Sequence, residues 1–127
     1  MDKKKLIGYW IITIILSFCI FSGGLAQAVQ VKGVVQGFKP LGYPTYFISL
    51  IGVWKVFGII AILIPKFPLL KEWAYAGILF VMTGAVISHI ASNDVHIQII
   101  APILLAVFTV LSWYFRPADR KIISVNP

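Results

Sequence analysis

Residues Tyr46 to Ile64 read YFISLIGVWKVFGIIAILI; PKFPLLKE follows at 65–72, and WAYAGILFVMTGAVISHIA then runs from Trp73 to Ala91. Each apolar run is close to the ~20 residues that carry a helix across a ~30 Å hydrocarbon layer at 1.5 Å per residue. Pro65 and Pro68 stop the first run, because proline removes a backbone donor and drives the preceding residue out of helical conformation. Lys66 and Lys71 flank the turn, and a connection this short makes the two helices antiparallel neighbours.

Working outward, Leu6–Val29 and Ile97–Phe115 are two further apolar blocks of spanning length. None alternates apolar with polar residues as barrel strands do, and in lipid only helices or closed barrels satisfy their own backbone groups. The expected fold is all-α: an integral membrane four-helix bundle with antiparallel neighbours, one domain over 1–127, with helices at about 6–29, 46–64, 72–91 and 96–115. Between the first two helices, Lys32–Pro44 holds Gly33, Gly37, Gly42, Pro40 and Pro44, which reads as a loop long enough to act as a lid. Ser92, Asn93 and Asp94 separate the last two helices, with Asn or Asp suited to capping.

Composition agrees. Of 127 residues 60% are apolar and 12% charged, against about half and a quarter in soluble domains, and the mean hydropathy is +0.95. Disorder, a disulfide scaffold and a soluble catalytic domain are excluded. The net charge of +7 does not point to nucleic acid, because the basic residues sit at the ends of apolar blocks, as membrane topology requires. Cys19 is the single cysteine, so the chain holds no dithiol centre.

Lys3, Lys4, Lys5, Lys66, Lys71, Arg116, Arg120 and Lys121 fall on one side of the expected bundle, Lys32 and Lys39 on the other. The positive-inside rule then places both termini in the cytoplasm of a multi-pass cell-membrane protein. Tyr9 and Trp10, Tyr43 and Tyr46, Trp73 and Tyr75, and Trp113 and Tyr114 mark the block ends as interfacial aromatics. Ala26, Gln27 and Ala28 give a cleavable-looking spacing, but Leu6–Phe21 is long for a leader and its removal would invert the charge pattern, so the first helix is expected to remain.

Lys55 is the informative exception. It lies mid-block, nine apolar residues before Ile64, and an ammonium at that depth costs about 2.5–3.5 kcal/mol even on insertion scales. Gly52 and Gly58, three residues to either side, put it on the helix's smallest face, toward neighbouring helices. Snorkelling to the interface is the bland alternative, and nine residues is far for a lysine stem. Glu72 is a candidate partner across the hairpin; the alternative is a helix-dipole role at a helix start.

His89 shares a seven-residue stripe with Tyr75 and Met82, and could bind a ligand, relay a proton or bond across the bundle. Gly77, Gly84 and Ala91 form a parallel small-residue stripe read as a packing seam. Gln27 and Gln30, with Ser22, Gly23 and Gly24 a turn earlier, outline a polar pocket at the depth of His89; interhelical bonding is the alternative. His96 is read as interfacial, and His89, His96 and Asp94 lack the spacing of a metal site. No P-loop, dinucleotide fingerprint or nucleophile–base motif is present.

Gly42, Tyr43, Pro44, Tyr46 and Phe47, then Gly52, Trp54, Lys55, Gly58 and Pro65, then Lys71 through Gly77, then Ser88 and His89, and finally Trp113, Arg116 and Pro117 resemble the DoxX-like family of small membrane proteins. The resemblance covers Gly42–Pro117, with a weaker match in the first helix. It implies a four-helix integral membrane protein. It also implies kinship with a wider group that includes membrane subunits of quinone-linked sulfur oxidation and partners of redox enzymes. If a quinone-type ligand is bound, the family-matching Lys55, Glu72 and His89 are the positions that line its site.

The functional expectation is an accessory subunit, or a binder of a small hydrophobic, quinone-type ligand, in a membrane redox system. Its ligand-binding or buried polar residues are Lys55, Glu72, His89, Gln27 and Tyr75. Its partners are the lipid bilayer and a membrane or redox enzyme, with self-association allowed and no nucleic acid. The alternatives are a structural or assembly factor and a small multidrug-type transporter; the first helix lacks the embedded carboxylate such a carrier needs.

Overall fold

The computed structural model describes residues 3–91, 99–117 and 120–121. Among these the chain is helical, with no strand: α1 Lys3–Ala28, α2 Lys32–Phe38, a 3₁₀ turn Lys39–Leu41, α3 Thr45–Leu63, α4 Pro68–Ala91 and α5 Ile100–Tyr114. Three helices, α1, α3 and α4, are long and apolar enough to cross a membrane. Only 28% of the apolar windows of α1 and α3 and 17% of that of α4 is buried; the remaining apolar surface is large enough to require lipid as its solvent. The protein is a membrane protein.

The 32–44 connection is structured, formed largely by α2 and the 3₁₀ turn, and one expected boundary moves. The second span of the hairpin starts at Pro68, four residues before the expected 72: proline fits the first helical position, where its missing N–H is not needed. Pro65 acts as expected, holding Ile64 extended after the last residue of α3. The expected fourth helix is seen from Ile100; Ser92, Asn93, Asp94 and His96 lie outside the described residues.

α1 packs most extensively on α3, α4 on α5 and α3, and α5 also on α1. Leu16, Ile20, Ile59, Ile62, Ile78 and Met82 form the apolar core with Tyr75. The α1–α3 contact is backbone to backbone. A Cβ on Gly52 would lie 2.5 Å from both the Gly24 oxygen and the Ala28 nitrogen, and one on Gly24 would lie 2.9 Å from the Gly52 oxygen. Ser49 Oγ donates to the Ala28 oxygen at 3.1 Å, and Gln30 Nε2 donates to Ser49 Oγ at 2.8 Å and to the Thr45 oxygen at 2.9 Å, tying the ends together. By contrast, a Cβ on Gly77 or Gly84 would meet nothing within 4 Å among the described residues. The packing seam is therefore Gly24–Gly52, and the expected Gly77–Gly84 stripe carries none of it.

At the other end of α3 two cations close the helix. Lys71, fully buried, donates to the carbonyls of Ala61 (3.0 Å), Lys66 (2.7 Å) and Ile64. Arg120 donates to Ile62 (2.7 Å), Leu63 (3.2 Å) and Ile64 (3.3 Å) and lies over the Trp10 ring at 4.9 Å. The last carbonyls of a helix have no intrahelical donors and carry its negative dipole end, so cations serve both needs. Lys66 and Phe67 turn with φ of 68° and 55°, a sparsely populated conformation for residues with a Cβ. Lys71 holds this turn through the Lys66 oxygen.

Candidate functional site

Lys55 is half-buried on α3, about 15 Å along the axis from Thr45 and about 12 Å from Leu63 at 1.5 Å per residue. It lines a groove of about 850 Å³ between α3 and α4, otherwise walled by uncharged residues including Trp54, Phe57, Trp73, Phe80 and Met82. Among the described residues nothing forms a hydrogen bond or ion pair with it. Its Cβ lies 3.0 Å from where a Cβ on Gly24 would sit, so the stem is set against α1 while the side chain lines the groove.

Glu72 does not pair with Lys55. Its Oε1 lies 2.7 Å from Arg116 Nη2, and its Oε2 accepts from Trp113 Nε1 at 2.8 Å. Arg116 also lies over the Trp113 ring at 4.6 Å and donates to the Trp113 oxygen. Because α4 starts at Pro68, Glu72 falls in its second turn rather than at its start, and its charge is held by Arg116, two residues beyond α5, instead of by the dipole.

Tyr75 is buried rather than interfacial. Its hydroxyl lies 2.8 Å from Ser112 Oγ, which lies 2.6 Å from Thr13 Oγ1, a hydroxyl chain joining α4, α5 and α1. Tyr9, 1% exposed, is likewise core and not an interfacial anchor. Burying such hydroxyls costs little once they satisfy one another. Sequence reasoning missed Thr13 and Ser112, although Tyr9, Thr13 and Ser17 recur at four-residue spacing, a polar stripe on one face of an apolar helix.

The remaining candidates separate. Gln27 sits at the α1–α3 crossing, its Cβ 2.9 Å from a Cβ built on Gly52, with Oε1 buried and unpartnered among the described residues. His89 is half-buried near the far end of α4, about 21 Å from Tyr75 along the helix, beside Ser88, which bonds Tyr43. Ser22 bonds back to Phe18 and Cys19 of its own helix, and Gln30 bridges α1 to α3. The hydrogen bonds of these two groups go to backbone and to a neighbouring helix, the interhelical alternative for the polar residues near the end of α1. Glu72 and Tyr75 share the end where α4 and α5 meet, whereas Lys55 alone of the five lines the groove. Among the described residues no three His, Cys, Asp or Glu side chains gather as metal ligands.

No curated protein and no solved structure matches this chain significantly. Residues 11–112 match the DoxX-like family, a span that takes in most of α1 as well as the groove helices. With apolar membrane-length helices and a match over most of its length, the chain belongs to the DoxX-like family.

Proposed function

We propose that this protein is an accessory membrane subunit that binds a quinone-type hydrophobic ligand in the α3–α4 groove, with the Lys55 ammonium donating a hydrogen bond to a ligand carbonyl. The observation that carries this reading is Lys55 itself, a cation at mid-depth in an apolar groove and without a partner among the described residues. Such a charge is costly unless something accepts its protons. Ligand pockets of this kind are apolar, with few polar groups placed to orient the occupant, and 850 Å³ is within their usual range. Gln27, Glu72, Tyr75 and His89 belong to this reading only as supports of the surrounding helices.

The same reading takes α5 as the fourth crossing of a single-domain bundle in the cell membrane, with both termini cytoplasmic. Its support is that α5 packs on α1 and α4. In addition, Lys71 and Arg120 bond the carbonyls at the end of α3, Arg120 lies over Trp10 of α1, and Arg116 pairs with Glu72 beside Lys71, the basic concentration expected of a cytoplasmic face. A redox enzyme as partner would receive or supply electrons, since the chain's own chemistry offers no thiol pair.

Titrating wild-type protein and Lys55→Met in lipid nanodiscs with an alkylated 1,4-benzoquinone tests the site. Loss of one charge-assisted hydrogen bond lowers affinity by about tenfold or more. Equal binding by the two proteins contradicts the assignment, and favours a purely structural role for the lysine.

A further inference from the structure

The groove has a direction. On α4 its lining runs from Leu70 to Met82, about 18 Å at 1.5 Å per residue, and on α3 from Ala61 back to Trp54. A Cβ on Gly58 would lie 3.5 Å from Ile78 Cδ1, which fixes the register of the two helices. Lys55, about one turn before Gly58, is therefore level with Val81 and Met82, about one turn after Ile78. Among the described residues the only charge in the lining thus sits at one end of the groove, at mid-depth of α3. The opposite end, at Leu70 and Trp73, lies beside Lys71 and the Glu72–Arg116 pair, where the charged groups of the chain collect.

From this we infer that the ligand lies with its polar head at mid-depth against Lys55 and its tail directed along α4 to the Leu70–Trp73 end. This inference rests on the quinone-type reading and narrows the ligand class. The occupant has a single tail of at least about 18 Å and a compact, uncharged head that accepts a hydrogen bond. A phospholipid does not meet these terms. Its charged head belongs at the interface, and bringing that head to the depth of Lys55 incurs the desolvation cost of a buried ion. The walls suit sideways entry from the bilayer: Trp54, Phe57 and Phe80 are 59%, 65% and 72% exposed, so the groove opens toward lipid along its length.

The test is photolabelling of the intact protein in nanodiscs with two hexadecyl-1,4-benzoquinones, one carrying a diazirine next to the ring and one at the chain terminus, followed by peptide mapping. The ring-proximal probe is expected to label Trp54–Lys55 and Val81–Met82, and the chain-end probe Leu70–Trp73. Unlabelled quinone should compete with both, and excess phosphatidylcholine with neither. Reversed labelling, or competition by phosphatidylcholine at Lys55, overturns this orientation while leaving a groove ligand in place. Labelling that unlabelled quinone does not reduce overturns the orientation and the quinone-type reading together.

Discussion

Replacing Gly52 by alanine forces α1 and α3 apart. The added Cβ would lie 2.5 Å from the Gly24 oxygen and the Ala28 nitrogen, and both are backbone atoms that no rotamer change can move aside. Ordinary contact begins near 3.5 Å, so the helices separate by about 1 Å, enough to forfeit a quarter to a half of the dispersion energy along the seam. The Ser49–Ala28 and Gln30–Thr45 bonds, now 3.1 and 2.9 Å, stretch as well. Overpacking costs about 1–3 kcal/mol, and with weakened bonds of about 1 kcal/mol each the expected loss is about 3 kcal/mol. Gly58→Ala is the matched control: among the described residues its Cβ finds only the Ile78 side chain, Cδ1 at 3.5 Å and Cγ1 at 3.6 Å, so its stability stays within about 0.5 kcal/mol of wild type or rises through helix propensity. Equilibrium unfolding in mixed micelles titrated with dodecyl sulfate measures both. Wild-type stability in Gly52→Ala, or a larger loss in Gly58→Ala, would show that α1 and α3 do not meet backbone to backbone at Gly52.

Other substitutions probe the remaining supports in the same assay. Lys71→Met strips the donor from three carbonyls at the α3 terminus and should cost about 3 kcal/mol; a neutral result would mean that water serves those carbonyls equally well. Ser112→Ala breaks contacts to both Thr13 and Tyr75, with an expected loss of about 2 kcal/mol. Ser22→Ala, which removes only bonds to its own helix at an exposed position, should change stability by less than about 0.5 kcal/mol. For the Glu72–Arg116 pair, 24% and 13% exposed, a double-mutant cycle with Gln at both positions should return a coupling of about 1 kcal/mol; strict additivity contradicts the pairing.

The spans were legible because hydropathy is a local property, and Pro65 marked the end of α3 without help from tertiary structure. The start of α4 is less legible, because a proline such as Pro68 reads equally as the stop of one helix and as the first position of the next. Lys55 stood out since a charge amid apolar residues needs no partner to be noticed. The hairpin alone makes Glu72 a plausible partner for Lys55, but Trp113 of α5 and Arg116 just beyond it take the Glu72 carboxylate, and only the packing of α5 on α4 reveals that. The small-residue stripes show the same limit. Gly24 and Gly52 make a seam because each faces the other's backbone, whereas Gly77, which lines the groove, and Gly84, equally suggestive in sequence, meet no neighbouring helix closely among the described residues. Lys71 and Arg120 read as topology signals, and their work as caps depends on where α3 happens to end in space.

Whether the groove beside Lys55 holds a ligand is read by native mass spectrometry of the protein purified from its membrane, alongside Lys55→Met. One quinone-type molecule per chain is expected on the wild-type protein. Lys55→Met should lose this molecule while unfolding no earlier than wild type, because methionine removes a membrane-embedded charge whose insertion costs about 2.5–3.5 kcal/mol. A wild-type protein that carries no such molecule, or a Lys55→Met protein that carries it equally, would contradict a quinone-type ligand held by Lys55.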